Sequence, residues 1–153
     1  PLVNPEDILK IVAVKKHFPD CVIKGYTEID PHEDPHSLNI PKVIFTEDER
    51  MIYVSRQLLP GSKESSKVPA CFYKAVCIYA FGRNDLRDYA AFGRKSLLEQ
   101  YEDIEILRYL DIGTTVRMVK TSGGSYAVDV PEDVAKVEAE MRCRGMKARS
   151  EQL

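Results

Sequence analysis

Three observations predict an α/β sandwich built on a mixed sheet. β-branched and aromatic runs alternate with stretches of helical spacing, which sets helices against a sheet. One hairpin interrupts the alternation and adds antiparallel pairing to a sheet that would otherwise be parallel. At 153 residues the chain is long enough for one domain with a full core and too short for two. That domain is expected over residues 1–147, with 148–153 as a disordered tail.

Asn4-Pro5-Glu6-Asp7 opens a helix, with a capping asparagine, proline at the first helical position and acids suited to the N-terminal dipole. Ile8, Ile11, Val12 and the stem of Lys15 are its expected apolar stripe, and Pro19 ends it. "CVIKGYTEI" reads as a strand, and "DPHEDPHSLNIP" as a loop. "KVIFTEDERMIYVSR" is a hairpin around Thr46-Glu47-Asp48-Glu49, followed by the polar loop "QLLPGSKESSKVPA". "CFYKAVCIYAF", the most apolar stretch, predicts a central strand buried on both faces. "GRNDLRDYAAFG" predicts a short helix capped by Asn84 or Asp85 and ended by Gly93. "SLLEQYEDIEILRYLDIG" predicts one continuous helix from a Ser96 cap to Gly113, its stripe being Leu97, Tyr101, Ile104, Leu107 and Leu110. "TVRMVKT" and "SYAVD" read as strands joined by a turn at "SGG". Pro131 starts a last helix with Val134, Val137 and Met141 on its apolar face.

Composition narrows the function classes. With a formal net charge of −2 and no basic block, nothing favours a nucleic-acid partner. No apolar run approaches the roughly 18 to 20 residues of a membrane span, and "PLVNPEDILK" has acids and prolines where a signal peptide has a basic, then apolar, segment. Cys21, Cys71, Cys77 and Cys143 form no CxxC pair. Cys71 and Cys77 fall on one face of a strand pattern, too far apart to bridge. Buried reduced thiols are expected, which suits a cytoplasmic protein. The start at Pro1, without an initiator methionine, predicts a segment of a longer protein.

Five side chains are candidates for chemistry. Asp129 ends a predicted strand before Pro131, and two readings stand beside each other. Asp129-Val130-Pro131-Glu132 fits a capping box. With Pro131 at the first helical position, however, Val130 is the cap and Asp129 lies at a strand end, where open α/β sheets bind ligands. Glu99, Glu102 and Glu105 are spaced by three, either as a solvated helix face or as acceptors for sugar hydroxyls. Arg56 ends the hairpin, where its planar fork suits a carboxylate or phosphate if it faces a cleft. His32 and His36 sit in a proline-broken loop, where the helical metal-pair argument fails. No Gly-rich phosphate loop or nucleophile elbow is present.

Five segments carry a resemblance: "PLVNPEDI", "PKVIFTEDERMIYVSRQLLPGSK", "YKAVCIYAF", "LLEQYEDIEILRYLDIG" and "SYAVDVPEDVAKVEAEM". Their order resembles that of the sugar-acid cytidylyltransferases, the 3-deoxy-manno-octulosonate (KDO) enzymes above all, up to about Met141. The resemblance implies a Rossmann-like nucleotidyltransferase sandwich, incomplete here at its N-terminal side, and a homodimer. It implies CTP and a KDO-like sugar acid as substrates, giving a CMP-sugar and pyrophosphate, with Mg²⁺ as cofactor. Asp129 matches the aspartate of a Val-Asp-Thr-Pro-Glu-Asp motif that helps bind Mg²⁺. Arg56 matches the arginine of a Phe-Ser-Arg stretch on the sugar-acid side, and Glu102 and Glu105 match acids facing the sugar. Lys42 matches a hairpin lysine to which no role is given.

The chain also departs from that pattern. Ala75 stands where the family usually has His or Gln, Ile106 where it often has Gln, and Val130 replaces a capping Thr. Pro1 matches the last residue of a Gln-Gly-Asp-Glu-Pro motif, so the second metal carboxylate and the CTP-phosphate loop are expected upstream. No turnover by this chain alone is therefore expected. Two alternatives compete: a non-catalytic dimerisation or regulatory module, and a synthetase for a sialic- or legionaminic-type acid.

Overall fold

A computed structural model describes residues 2–124, 128, 131–143 and 145. The elements run α1 (Pro5–His17), β1 (Val22–Glu28), β2 (Lys42–Phe45), β3 (Met51–Ser55), β4 (Tyr73–Ala80), α2 (Arg83–Ala91), α3 (Leu97–Glu102), α4 (Arg108–Ile112), β5 (Val116–Lys120) and α5 (Pro131–Cys143). Five strands form one sheet in the order β3-β2-β4-β1-β5. β1 and β5 pair in parallel and the other neighbours antiparallel, so the sheet is mixed, as the hairpin predicts.

The sheet curls around its larger core. β2 pairs with β4 only at Lys42↔Lys74. The hairpin turn then swings across to β5, where Arg50 bridges Arg117 and the Met118 N–H donates to the Glu49 carbonyl at 2.7 Å. Inside the curl lie Val22, Tyr26, Val43, Val54, Ile104, Ile106, Leu107, Tyr109, Val116 and Met118, all buried. On the opposite face α1 inserts Ile11 against Ile23 and Val119. Gly25 permits that approach, because a Cβ there would lie 3.1 Å from Thr121 Cγ2 and 3.4 Å from Ile11 Cδ1.

Local cap chemistry sets several boundaries as expected. Asn4 accepts from the Glu6 N–H at 3.1 Å and starts α1. Ser96 and Glu99 form a reciprocal capping box on α3, and Gly113, at φ 81°, ends α4 in the left-handed conformation.

Several expectations are corrected. The stretch from Ser96 to Gly113 is not one helix. Asp103 turns left-handed at φ 52°, Ile104 is extended, and a 3-10 turn over Glu105–Leu107 precedes α4. The break lets Ile104, Ile106 and Leu107 all point into the core, whereas a straight helix would bury one stripe; Leu97 and Tyr101 are left 59% and 79% exposed. α2 is capped at Gly82, with Asp85 reaching back from inside the helix to the Gly82 N–H at 2.6 Å. β4 is central, but of its residues only Val76 is buried. Of the predicted α1 stripe, Ile11 is buried while Ile8 and Val12 are exposed; on α5 Val137 is buried, Met141 half-buried and Val134 exposed. The cysteines are free but not buried. Cys71 precedes β4 and is half-buried like Cys21, and Cys77 and Cys143 are exposed. The predicted strand at 125–129 and the tail lie outside the described residues, Val128 apart.

Candidate functional site

Arg56 leaves the end of β3 half-buried and bonds in four directions. Its N–H donates to Glu102 Oε2 at 2.9 Å and its Nε to the Glu102 carbonyl at 2.7 Å. Nη1 donates to the Leu38 carbonyl at 3.0 Å and Nη2 to the Asp103 carbonyl at 3.4 Å. The guanidinium thus satisfies carbonyls that the end of α3 leaves unpaired. These bonds use three of its five N–H groups.

Glu102 faces the hairpin. Its Oε1 accepts from Ser55 Oγ at 2.6 Å and Tyr53 Oη at 3.2 Å. Desolvation is the largest influence on its pKa and raises it. The Arg56 N–H, Ser55 and Tyr53 together outweigh that and hold the carboxyl below its usual range. Lys42, fully buried on β2, donates to the Ser37 carbonyl at 2.8 Å and to the Arg56 carbonyl, and its burial lowers its pKa. Lys42, Arg56 and Glu102 therefore lock the hairpin end, the loop before it and α3 into one unit.

Glu105 lies apart from that unit, exposed at the start of the 3-10 turn, and accepts from Tyr79 Oη at 3.0 Å. Tyr79 in turn accepts from Lys24 Nζ at 2.7 Å. Glu99 belongs to neither group. It is buried and takes both Nε and Nη2 of Arg108, at 2.7 and 2.6 Å, while that guanidinium stacks 3.8 Å from the Tyr89 ring centre. The acids spaced by three are thus neither a solvated face nor a single site. Ile106 is packed in the core and Ala75 is half-buried beside it.

Asp129 lies outside the described residues. The chain leading toward it is anchored, however. Asp7 at the start of α1 accepts from the Ser122 N–H at 2.9 Å and from Ser122 Oγ at 2.7 Å, and Asn4 donates to Ser122 Oγ at 3.3 Å. The start of α1 and the exit of β5 therefore meet. Among the described residues no group of three or more His, Cys, Asp or Glu is arranged to hold a metal ion. Two open hollows, of about 500 and 210 Å³, border α2, α4 and the hairpin turn, and neither contains Arg56, Glu102 or Glu105.

Lys24 and Tyr79 are absent from the sequence-level candidates. The signal was available for Lys24: in "VIKGY" it alternates with Val22 and Tyr26, which places a charge on the inward face of a strand.

No protein-family model matches the chain. It is 31% identical over 139 residues to the 3-deoxy-manno-octulosonate cytidylyltransferase of Syntrophus aciditrophicus, a match covering 90% of this chain and 55% of that protein. It is 29% identical over 143 residues to the 8-amino-3,8-dideoxy-manno-octulosonate cytidylyltransferase of Shewanella oneidensis, covering 90% and 56%. Its fold matches the solved structure of CMP:2-keto-3-deoxy-manno-octonic acid synthetase complexed with CTP, with a TM-score of 0.84 and 27% identity over 94% of this chain and 58% of that one. The chain spans a little over half the length of these curated relatives. By sequence and by fold, it is a relative of the 3-deoxy-manno-octulosonate cytidylyltransferases.

Proposed function

We propose that this chain supplies the sugar-acid side of a cytidylyltransferase that activates a KDO-like 2-keto-3-deoxy acid with CTP. The anomeric oxygen of the acid bonds to the α-phosphorus of CTP and loses its proton. The bond from that phosphorus to the β-bridging oxygen breaks, and CMP-sugar and pyrophosphate result. Arg56, already fixed by Glu102, offers its remaining N–H groups to the sugar carboxylate. Glu105 accepts from a sugar hydroxyl, and the Lys42–Glu102 unit keeps Arg56 from swinging away.

Mg²⁺ is part of the proposal through Asp129 and, when bound, offsets charge developing on the phosphates. The contact of Asn4 and Asp7 with Ser122 supports this arrangement. It brings the stretch after Pro1 against the stretch that leads toward Asp129. A homodimer is proposed on the same resemblance. Among the described residues no helix is long and apolar enough to cross a membrane.

The observation that carries the reading is the agreement of sequence and fold with a CTP-bound synthetase over 94% of the chain. The test is a thermal-shift panel of KDO, its 8-amino analogue, neuraminic acid and legionaminic acid. The 8-amino acid is included because a relative of similar identity is named for it. Binding adds about 2.7 kcal/mol at a hundredfold excess over Kd, and KDO or its 8-amino analogue is expected to shift the melting temperature most. No shift with any acid overturns the reading in favour of a dimerisation module. A larger shift with neuraminic or legionaminic acid reassigns the substrate. Pyrophosphate release from CTP, Mg²⁺ and KDO is expected to be absent for this chain alone.

A further inference from the structure

Lys24 sits in the middle of β1 and is 1% exposed. The other lysines with largely covered side chains have stronger partners. Lys15 meets Asp85 at 2.7 Å, Lys74 meets Glu33 at 2.5 Å, and Lys42 meets two carbonyls. Lys24 has one hydrogen-bond partner, the hydroxyl of Tyr79, with its Nζ 3.9 Å from the centre of that ring. Among the described residues no carboxylate stands within 4 Å of it. A buried ammonium with one partner for three N–H groups is costly to keep, and such groups recur where function needs them.

The next group along explains the arrangement. Since Tyr79 Oη accepts from Lys24, its single proton points to Glu105 Oε1, 3.0 Å away. Burial, then the Glu105 charge, pushes the phenol pKa up, so Tyr79 remains a donor. Glu105 Oε2 has no hydrogen bond among the described residues, and the residue is exposed.

We propose that Lys24 is a positioning residue: through the Tyr79 hydroxyl it holds one oxygen of Glu105 and leaves the other presented to a hydroxyl of the sugar acid. This rests on the reading that Glu105 faces the sugar. Desolvation lowers the Lys24 pKa to about 8, against the opposing pull of Cys77 and Glu105. The groups facing it are Tyr79 and Cys77 from β4 and Glu105 from the 3-10 turn, while its β5 neighbour, Met118, is uncharged. Above that pH the amine becomes an acceptor, the Tyr79 proton can turn toward it, and Glu105 is released.

The test follows the Glu105 carboxyl carbon by NMR in the full chain with ¹³C-labelled glutamate, assigned with Glu105→Gln, between pH 6.5 and 9.5. An inflection near pH 8 is expected, absent from Lys24→Arg and Lys24→Met and retained in Cys77→Ser. KDO affinity by calorimetry is expected to weaken about tenfold across the same inflection, the loss of one hydrogen bond to a charged group, and to be flat with pH in Lys24→Arg. A flat Glu105 signal in the unaltered chain overturns the proposal, as does an inflection that survives both Lys24 variants or vanishes in Cys77→Ser. An inflection without binding of any sugar acid overturns the ligand assignment and upholds the coupling. Binding with a flat Glu105 signal overturns the coupling and upholds the sugar-acid reading.

Discussion

Glu99, buried, and Arg108, mostly covered, are opposite charges whose cost is offset by geometry. Two parallel hydrogen bonds join them, the Ser96 N–H adds a third to the carboxylate, and Tyr89 covers the guanidinium. Removing one partner strands the other, so Arg108→Ala is expected to destabilise the fold by about 3–5 kcal/mol in urea denaturation. Hydrogen bonding from Arg108 lowers the Glu99 pKa. Its contribution is therefore fully present above the ordinary carboxylate range and lost as pH falls through the folded value, so the variant's deficit should shrink in acid. Lys24 predicts the same direction with pH but the opposite effect of removal. Its folded pKa of about 8 lies below the ordinary 10.5, so below pH 8 both states hold the proton and the native state carries the whole burial penalty. Between those values the unfolded chain binds more protons and native stability rises with pH. Lys24→Met should accordingly stabilise by about 1–3 kcal/mol at pH 7. Denaturation at pH 7 and near 10.5 checks this, because the gain should have largely disappeared at the higher value. A side chain that lowers stability where it stands is consistent with a site role.

Among the elements, those with their own start and stop signals were legible in the sequence. Asn4-Pro5 opens α1, Ser96 caps α3 and Gly113 ends α4, because each signal acts within one turn of its own helix. The break at Asp103 was not legible. The groups that accommodate it, the Nε and Nη2 of Arg56, come from a residue 46 positions away from Glu102, beyond the reach of any local pattern. The same limit applies to the site. Arg56, Glu102 and Glu105 stand out by position and spacing and gain a role only from family resemblance, whereas the commitment of Glu102 to Ser55 and Tyr53 appears only once the hairpin is folded. Asp129, the residue with the strongest sequence argument, lies outside the described residues. The seat of α1 offers a test of element packing. Gly25→Ala would set a methyl 3.1 Å from Thr121 Cγ2 and 3.4 Å from Ile11 Cδ1, at a point where helix and sheet already touch. Overpacking of this kind is expected to cost about 1–3 kcal/mol. Paired with Ile11→Ala, which opens space opposite, the two losses should be less than additive in a double-mutant cycle.

Across the whole molecule, the curled sheet gives the candidate site its support, and the curl is held at two places. One is the Lys42↔Lys74 pair, where Lys42 also grips the Arg56 carbonyl. The other is the hairpin turn on β5, through Arg50↔Arg117 and the Met118 N–H to Glu49 carbonyl bond. Thr46 organises that turn. Its Oγ donates to Asp48 and accepts from the Arg50 N–H at 3.1 Å, and Arg50 Nε closes back on Asp48 at 2.8 Å. Thr46→Val keeps the branched shape and removes these hydroxyl bonds, an expected loss of about 1 kcal/mol. Native-state hydrogen exchange distinguishes two ways in which that loss can appear. If the turn is an independent flap, the Met118 and β3 amides exchange faster while the β1–β4 ladder is unchanged. If both attachments close one core, β1, β4 and β3 all lose the same protection, since hairpin opening exposes Val54 and Met118, each 0% exposed, together with Ile104 and Leu107 behind them. The second outcome is expected, because nothing separates the hairpin from the main core. It would mean that Arg56 and Glu102 are held in place by a contact at the far end of the hairpin as well as by the bonds they make to each other.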